Sequence, residues 1–151
     1  MLYQSYNHNG AEQIISGLIL TEITGLIQNL GADFRRAPDL REAFLEGLAT
    51  KGWPGVVHVD SALKITITSV KDGCGLCLQF GNMARFYADL LKLQHLFGTG
   101  KIKAAIYILP EINMAKNLGS NLANFDRFTK ELEVFKSTIL VPLMVYGIWE
   151  N

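Results

Sequence analysis

The stretch KDGCGLCLQFGN, Lys71 to Asn82, carries both cysteines of the chain, Cys74 and Cys77, in a C-x-x-C spacing. That spacing supports thiol–disulfide exchange when the first cysteine opens a helix, whose dipole lowers the thiol pKa. Here the flanking pattern is that of a strand. Cys74, Leu76, Leu78 and Phe80 fall on one side, and Gly75, Cys77 and Gln79 on the other. Three residues of strand span roughly 10 Å and turn the thiols to opposite faces. A disulfide tolerates Cα atoms only up to about 7 Å apart. Zinc would need further nitrogen or sulfur ligands, and His8, His58 and His95 stand at no useful spacing. Two small buried residues are expected, neither a redox pair nor a zinc site.

Other side chains with chemical potential surround this stretch. FRRA supplies Arg35 and Arg36 in a loop before a helix, and Lys64 and Lys71 flank a strand. Lys64, Thr66 and Thr68 share one side of that strand. Arg85 opens the polar face of the following helix with Asp89 one turn on, the spacing of an internal ion pair. Basic and amide groups gathered on one surface are what DNA contact requires. Among the acids, Asp72 sits in a turn beside Gly73, Asp60 ends an earlier strand, and Glu42 and Glu46 share a helix face.

The elements that must position these groups follow from periodicity. Apolar residues recur at helical spacing from Ala11 to Leu30, and again from Asp39 to Thr50 through Leu40, Phe44 and Leu48. GWPG at 52–55 is a turn. VVHV at 56–59 and ALKITITSV at 62–70 are β-branched and read as strands, followed by CGLCLQF as a third. Helical spacing returns from Asn82 to Phe97, and IKAAIYILP is the apolar run of a buried central strand. A helix capped by Ser120 or Asn121 runs to Phe135, and TILVPLMVYGI makes one or two last strands around Pro142. The order α-α-β-β-β-α-β-α-β predicts an α/β domain, a sheet with helices on its faces.

The 151 residues fit one domain, 1–151, without repeats or a Pro/Ser-rich linker. Hydrophobic residues at 49% and charged residues at 19% exclude a disordered chain. The 14 basic residues balance 14 acidic ones, which argues against coating nucleic acid by bulk charge and leaves a local basic patch open. The N-terminus lacks a signal-peptide profile, no apolar run is long enough for a membrane span, and two cysteines form no disulfide framework. A cytoplasmic protein without membrane attachment is expected.

The stretch DGCGLCLQFGNMARFYADLLKLQ resembles the core of the BglII-like type II restriction endonucleases, within the broad PD-(D/E)XK nuclease class. The resemblance is close over Ser69 to about Pro110 and extends by element order from Ala37 to Ile148. It implies a restriction-endonuclease-like three-layer core, a mixed sheet flanked by helices. In that family one strand carries an acid, and the next carries glutamate-x-glutamine, then aromatic-Gly-Lys/Asn and a helix. The carboxylates hold Mg²⁺, a hard ion that prefers oxygen, and the metal activates water against the phosphodiester.

Carried across, Gln79 falls on the family glutamine, Cys77 on the glutamate and Thr68 on the first acid. A thiol and a hydroxyl do not replace carboxylates toward Mg²⁺. The resemblance therefore implies a frame that recognises double-stranded DNA, with no resident metal or other cofactor. Arg35, Arg36, Lys64, Lys71 and Arg85 are its candidate DNA contacts. The first alternative is an active Mg²⁺-dependent endonuclease with relocated acids, Asp72 (then the metal ligand) or Glu46. The second is a protein-interaction or regulatory subunit on the same fold. A chain this short would need to be a homodimer to span a two-fold DNA site, with the apolar end around Trp149 either a subunit contact or the last core strand.

Overall fold

The computed structural model describes residues 1–150. Its centre is a five-stranded mixed sheet in the order β1-β7-β6-β5-β4. The strands are β1 (Leu2–His8), β4 (Ser69–Lys71), β5 (Cys74–Leu78), β6 (Ala104–Pro110) and β7 (Leu143–Trp149). β5, β6 and β7 run parallel, while β1 and β4 are antiparallel edges. A separate antiparallel ribbon joins β2 (Val57–Asp60) to β3 (Ile65–Ile67).

Helices cover both faces. On one lie α1 (Ala11–Ile14), α2 (Gly17–Asn29), α3 (Ala37–Thr50) and α5 (Ile112–Leu118). They pack Ile23, Phe44 and Met114 against Cys74, Leu76, Ile106 and Tyr146. On the other lie α4 (Arg85–Gly98) and α6 (Phe125–Val134), with Phe86, Leu93 and Phe128 against Cys77, Tyr107 and Val145. β6 buries residues on both faces, so its sequence is a continuous apolar run. Where β7 passes under α6, Gly147 leaves room for Phe125: a Cβ there would lie 2.4 Å from the ring's Cγ.

Several expected elements are redrawn, each for a local reason. The long first helix breaks at Ile15, which is extended, because the Ser16 side chain caps the amide of Ile19 and starts α2 anew. The strand expected over 62–70 divides at Thr68: β3 pairs with β2, whereas β4 pairs with β5. Lys64 drops out of it into the β2–β3 turn at φ 55°. β1 and α5 are additions. β1 is an edge strand whose exposed positions hold Leu2 and the polar Gln4, Ser5 and Asn7, which hides its alternation, and α5 is short and asparagine-containing. Asn124, not Ser120 or Asn121, caps α6 by accepting from the Arg127 amide. The chain after Pro142 forms one strand, with β1 on one edge and β6 on the other. Trp149 thus ends a core strand that has no free edge for a second copy.

Asp72 and Gly73 both take positive φ between the paired residues Lys71 and Cys74, which makes a two-residue type I′ hairpin. This turn fixes the register of β5 and hence the faces presented by Cys74 and Cys77. The two thiols belong to opposite core layers and both are free.

Candidate functional site: a cationic cleft at the end of strand β5

The C-terminal end of β5 opens into a cleft of about 590 Å³ between α3, the β3–β4 bend and α4. Its floor is Thr68, Cys77 and Gln79, so the three positions picked out by resemblance do converge. The Leu78 backbone organises that floor. Its amide donates to Thr68 Oγ1 at 3.1 Å, and its carbonyl accepts from Arg41 Nη1 at 2.8 Å. The backbone ladder between β4 and β5 closes at Ser69 and Leu76, so the threonine hydroxyl takes over the next amide where the strand bends.

Gln79 is held at both ends of its amide. The Gly81 N–H donates to its Oε1 at 3.0 Å, and its Nε2 donates to Asp89 Oδ2 at 2.6 Å. The same carboxylate oxygen accepts from the Tyr107 hydroxyl at 2.9 Å, while Oδ1 accepts from Lys92 Nζ at 3.2 Å. Asp89 thereby ties β5, β6 and α4 together from a buried position. Tyr107 stacks on Phe128 at 4.4 Å between ring centres. Burial, reinforced by the Asp89 charge, raises the Tyr107 phenol well above its ordinary pKa. The same two causes in the same order raise the Cys77 thiol, so both groups stay protonated and neutral.

The ionisable wall of the cleft is unbalanced. Arg41, Arg85 and Lys92 line it against Asp89 as the one carboxylate. Asp89 pairs with Lys92 rather than with Arg85, contrary to the spacing argument, and Arg85 has no acidic partner among the described residues. Asp89 turns inward because it lies three residues after Phe86 and four before Leu93, both buried on the apolar stripe of α4. A charged residue on that stripe was the readable signal for Asp89. Arg41 had none beyond its place on the Ala37–Pro38 side of α3.

The other expected site residues lie elsewhere. Asp72 occupies the hairpin at the opposite end of β5, roughly 20 Å along the strand from Gln79. Glu42 and Glu46 are exposed on α3 outside the cleft. Asp60 accepts from the Leu63 amide inside the β2–β3 turn. Lys71 pairs with Glu22 at 2.8 Å, donates to the Lys51 carbonyl and lies 5.8 Å over the Trp53 ring. Arg36 forks onto Asp39 at the start of α3, and Arg35 and Lys64 are exposed. Of the basic residues picked out beforehand, Arg85 alone lines the cleft; Thr66 accompanies it from β3.

The donor set does not fit Mg²⁺. Among the described residues no three of His, Cys, Asp and Glu gather as a metal site. In the cleft a hydroxyl is engaged by an amide, a thiol is held neutral, and both oxygens of the sole carboxylate already accept hydrogen bonds.

A mixed sheet between two helical layers, with a cleft just beyond β5 where Gln79 stands, is the arrangement of the restriction-endonuclease-like class, as the solved structures show. The fold matches the crystal structure of restriction endonuclease BglII complexed with a DNA 16-mer, with a TM-score of 0.86 at 14% identity. That match covers 100% of this chain and 78% of the other. Free BglII matches with a TM-score of 0.77 at 16% identity, covering 100% and 81%. No curated protein matches the chain. The model of the restriction endonuclease BglII/BglIII family matches residues 3–148, and the chain belongs to that family.

Proposed function

We propose that the chain is a cytoplasmic, defence-related DNA-recognising protein that uses the restriction-endonuclease frame to bind double-stranded DNA without hydrolysing it. One observation carries this reading: the cleft at Gln79 sets three cations against one carboxylate, and that carboxylate is already satisfied. Thr68 and Cys77 stand at the family's acid positions and serve as framework, with Gln79 beside them. The relative crystallised with a DNA 16-mer supports the choice of ligand. No helix among the described residues is long and apolar enough to cross a membrane.

A two-fold DNA site calls for two copies. Exposed apolar residues on α4 and at the end of α6, Tyr87, Leu91, Val134 and Phe135, support a homodimer through that face. The terminal strand has β1 and β6 on its two edges, so strand addition along it is not the contact.

The test pairs a gel shift on duplex DNA at low salt with plasmid incubation in Mg²⁺ or Mn²⁺. Retardation without nicking is expected. The active-enzyme alternative keeps one favouring observation, the contact of Asp89 with Gln79. Nicking by the wild-type chain would establish that alternative, and its loss in an Asp89→Asn variant that still melts cooperatively would assign the reaction to Asp89. No retardation in any buffer would leave the protein-interaction subunit.

A further inference from the structure

We infer that Arg41, Arg85 and Lys92 hold a DNA backbone phosphodiester directly, so that side-chain cations supply the charge a divalent ion supplies in a carboxylate-built cleft. This rests on the reading that the cleft faces DNA, and it goes further by fixing how the phosphate is held and what the binding does not require.

Arg41 uses one N–H on the Leu78 carbonyl, which anchors the guanidinium to the rigid end of β5 and leaves other donors of its fork uncommitted. Lys92 commits one of its three N–H groups to Asp89 Oδ1, keeps two and lines the same cleft. Arg85, at the start of α4, is exposed and unpaired among the described residues. Asp89 neutralises one cation and spends its second oxygen on Gln79 and Tyr107. The cleft keeps a positive excess in a concave setting, where field lines concentrate and an anion is favoured.

The same excess repels a divalent cation, and the groups that could draw one in are a neutral thiol, a hydroxyl engaged by an amide and a carboxylate, Asp89, whose two oxygens already accept hydrogen bonds. Where a carboxylate pair would need a metal to tolerate a phosphate, these cations need none. Guanidinium groups suit the ligand because their forked donors match two phosphate oxygens. No bond is made or broken.

The experiment measures binding of a fluorescent duplex by anisotropy, in EDTA and in Mg²⁺, over a series of salt concentrations. Full affinity in EDTA is expected, with no gain from Mg²⁺. Lys92→Gln and Arg85→Gln should each weaken binding roughly tenfold. Each should also lower the slope of log affinity against log salt by about one. Arg85 is exposed, so its variant keeps the test valid if Arg41→Gln or Lys92→Gln disturbs folding, which thermal melting reports. Binding that requires Mg²⁺, or that is indifferent to both substitutions, overturns the inference while DNA recognition stands. A wild-type chain that binds no duplex in either buffer overturns both.

Discussion

The two ends of β5 use similar charged groups to opposite effect. At the hairpin end, Lys71 meets Glu22, the Lys51 carbonyl and the face of Trp53, so its charge is matched and it serves packing. At the cleft end, Asp89 accepts three hydrogen bonds, yet cations still outnumber it. A lysine beside a glutamate on the way into a nuclease-like strand therefore says nothing about ligands until its partner is known. What separates architecture from a candidate binding surface here is the charge left after internal pairing, not the number of basic residues nearby.

Removing the acid at each end should separate the two most sharply. Asp89→Ala leaves the Gln79 amide and the Tyr107 hydroxyl buried without an acceptor, at about 3–5 kcal/mol. Glu22→Ala frees a lysine that can reach water, at about 1 kcal/mol. Urea denaturation of both variants measures the gap, and equal losses would break the contrast.

Removing the base should then reverse the ranking. Lys71→Gln is expected to lower stability by about 1 kcal/mol and leave DNA affinity within twofold. Lys92→Gln is expected to weaken DNA binding roughly tenfold. If Lys71→Gln also weakens binding, the hairpin end belongs to the DNA surface.

The smallest effect concerns the thiols. Burial pushes the Cys74 thiol up to about 12 and the Cys77 thiol higher still, with the Asp89 charge as the second cause for Cys77. Neither forms thiolate near neutral pH, so iodoacetamide should label neither in the native protein and both in denaturant, as read by mass. Native labelling of Cys77 alone would show the cleft floor to be more open than its packing implies.

Alternation in GCGLCLQF was enough to place Cys74 and Cys77 in opposite layers, and the apolar run at 102–110 to mark the central strand, because both are period effects of one chain segment. Periodicity missed β1, whose exposed positions are mostly polar, and joined β3 to β4, because the bend at Thr68 answers to a partner strand.

The candidate site was legible only in part. Thr68, Cys77 and Gln79 could be aligned along the chain, and the structure brings them to one cleft floor. Arg41, Tyr107, Asp89 and Lys92 come from α3, β6 and α4, and nothing in their own segments ties them to Gln79. The sequence by itself determined the two faces of β5, the hairpin at Asp72–Gly73 and that Thr68 and Cys77 are not carboxylates. Only the tertiary structure decided which charges cancel. Pairing depends on distances across elements far apart in sequence, and that pairing leaves Lys71 neutralised at one end of β5 and a cationic cleft at the other.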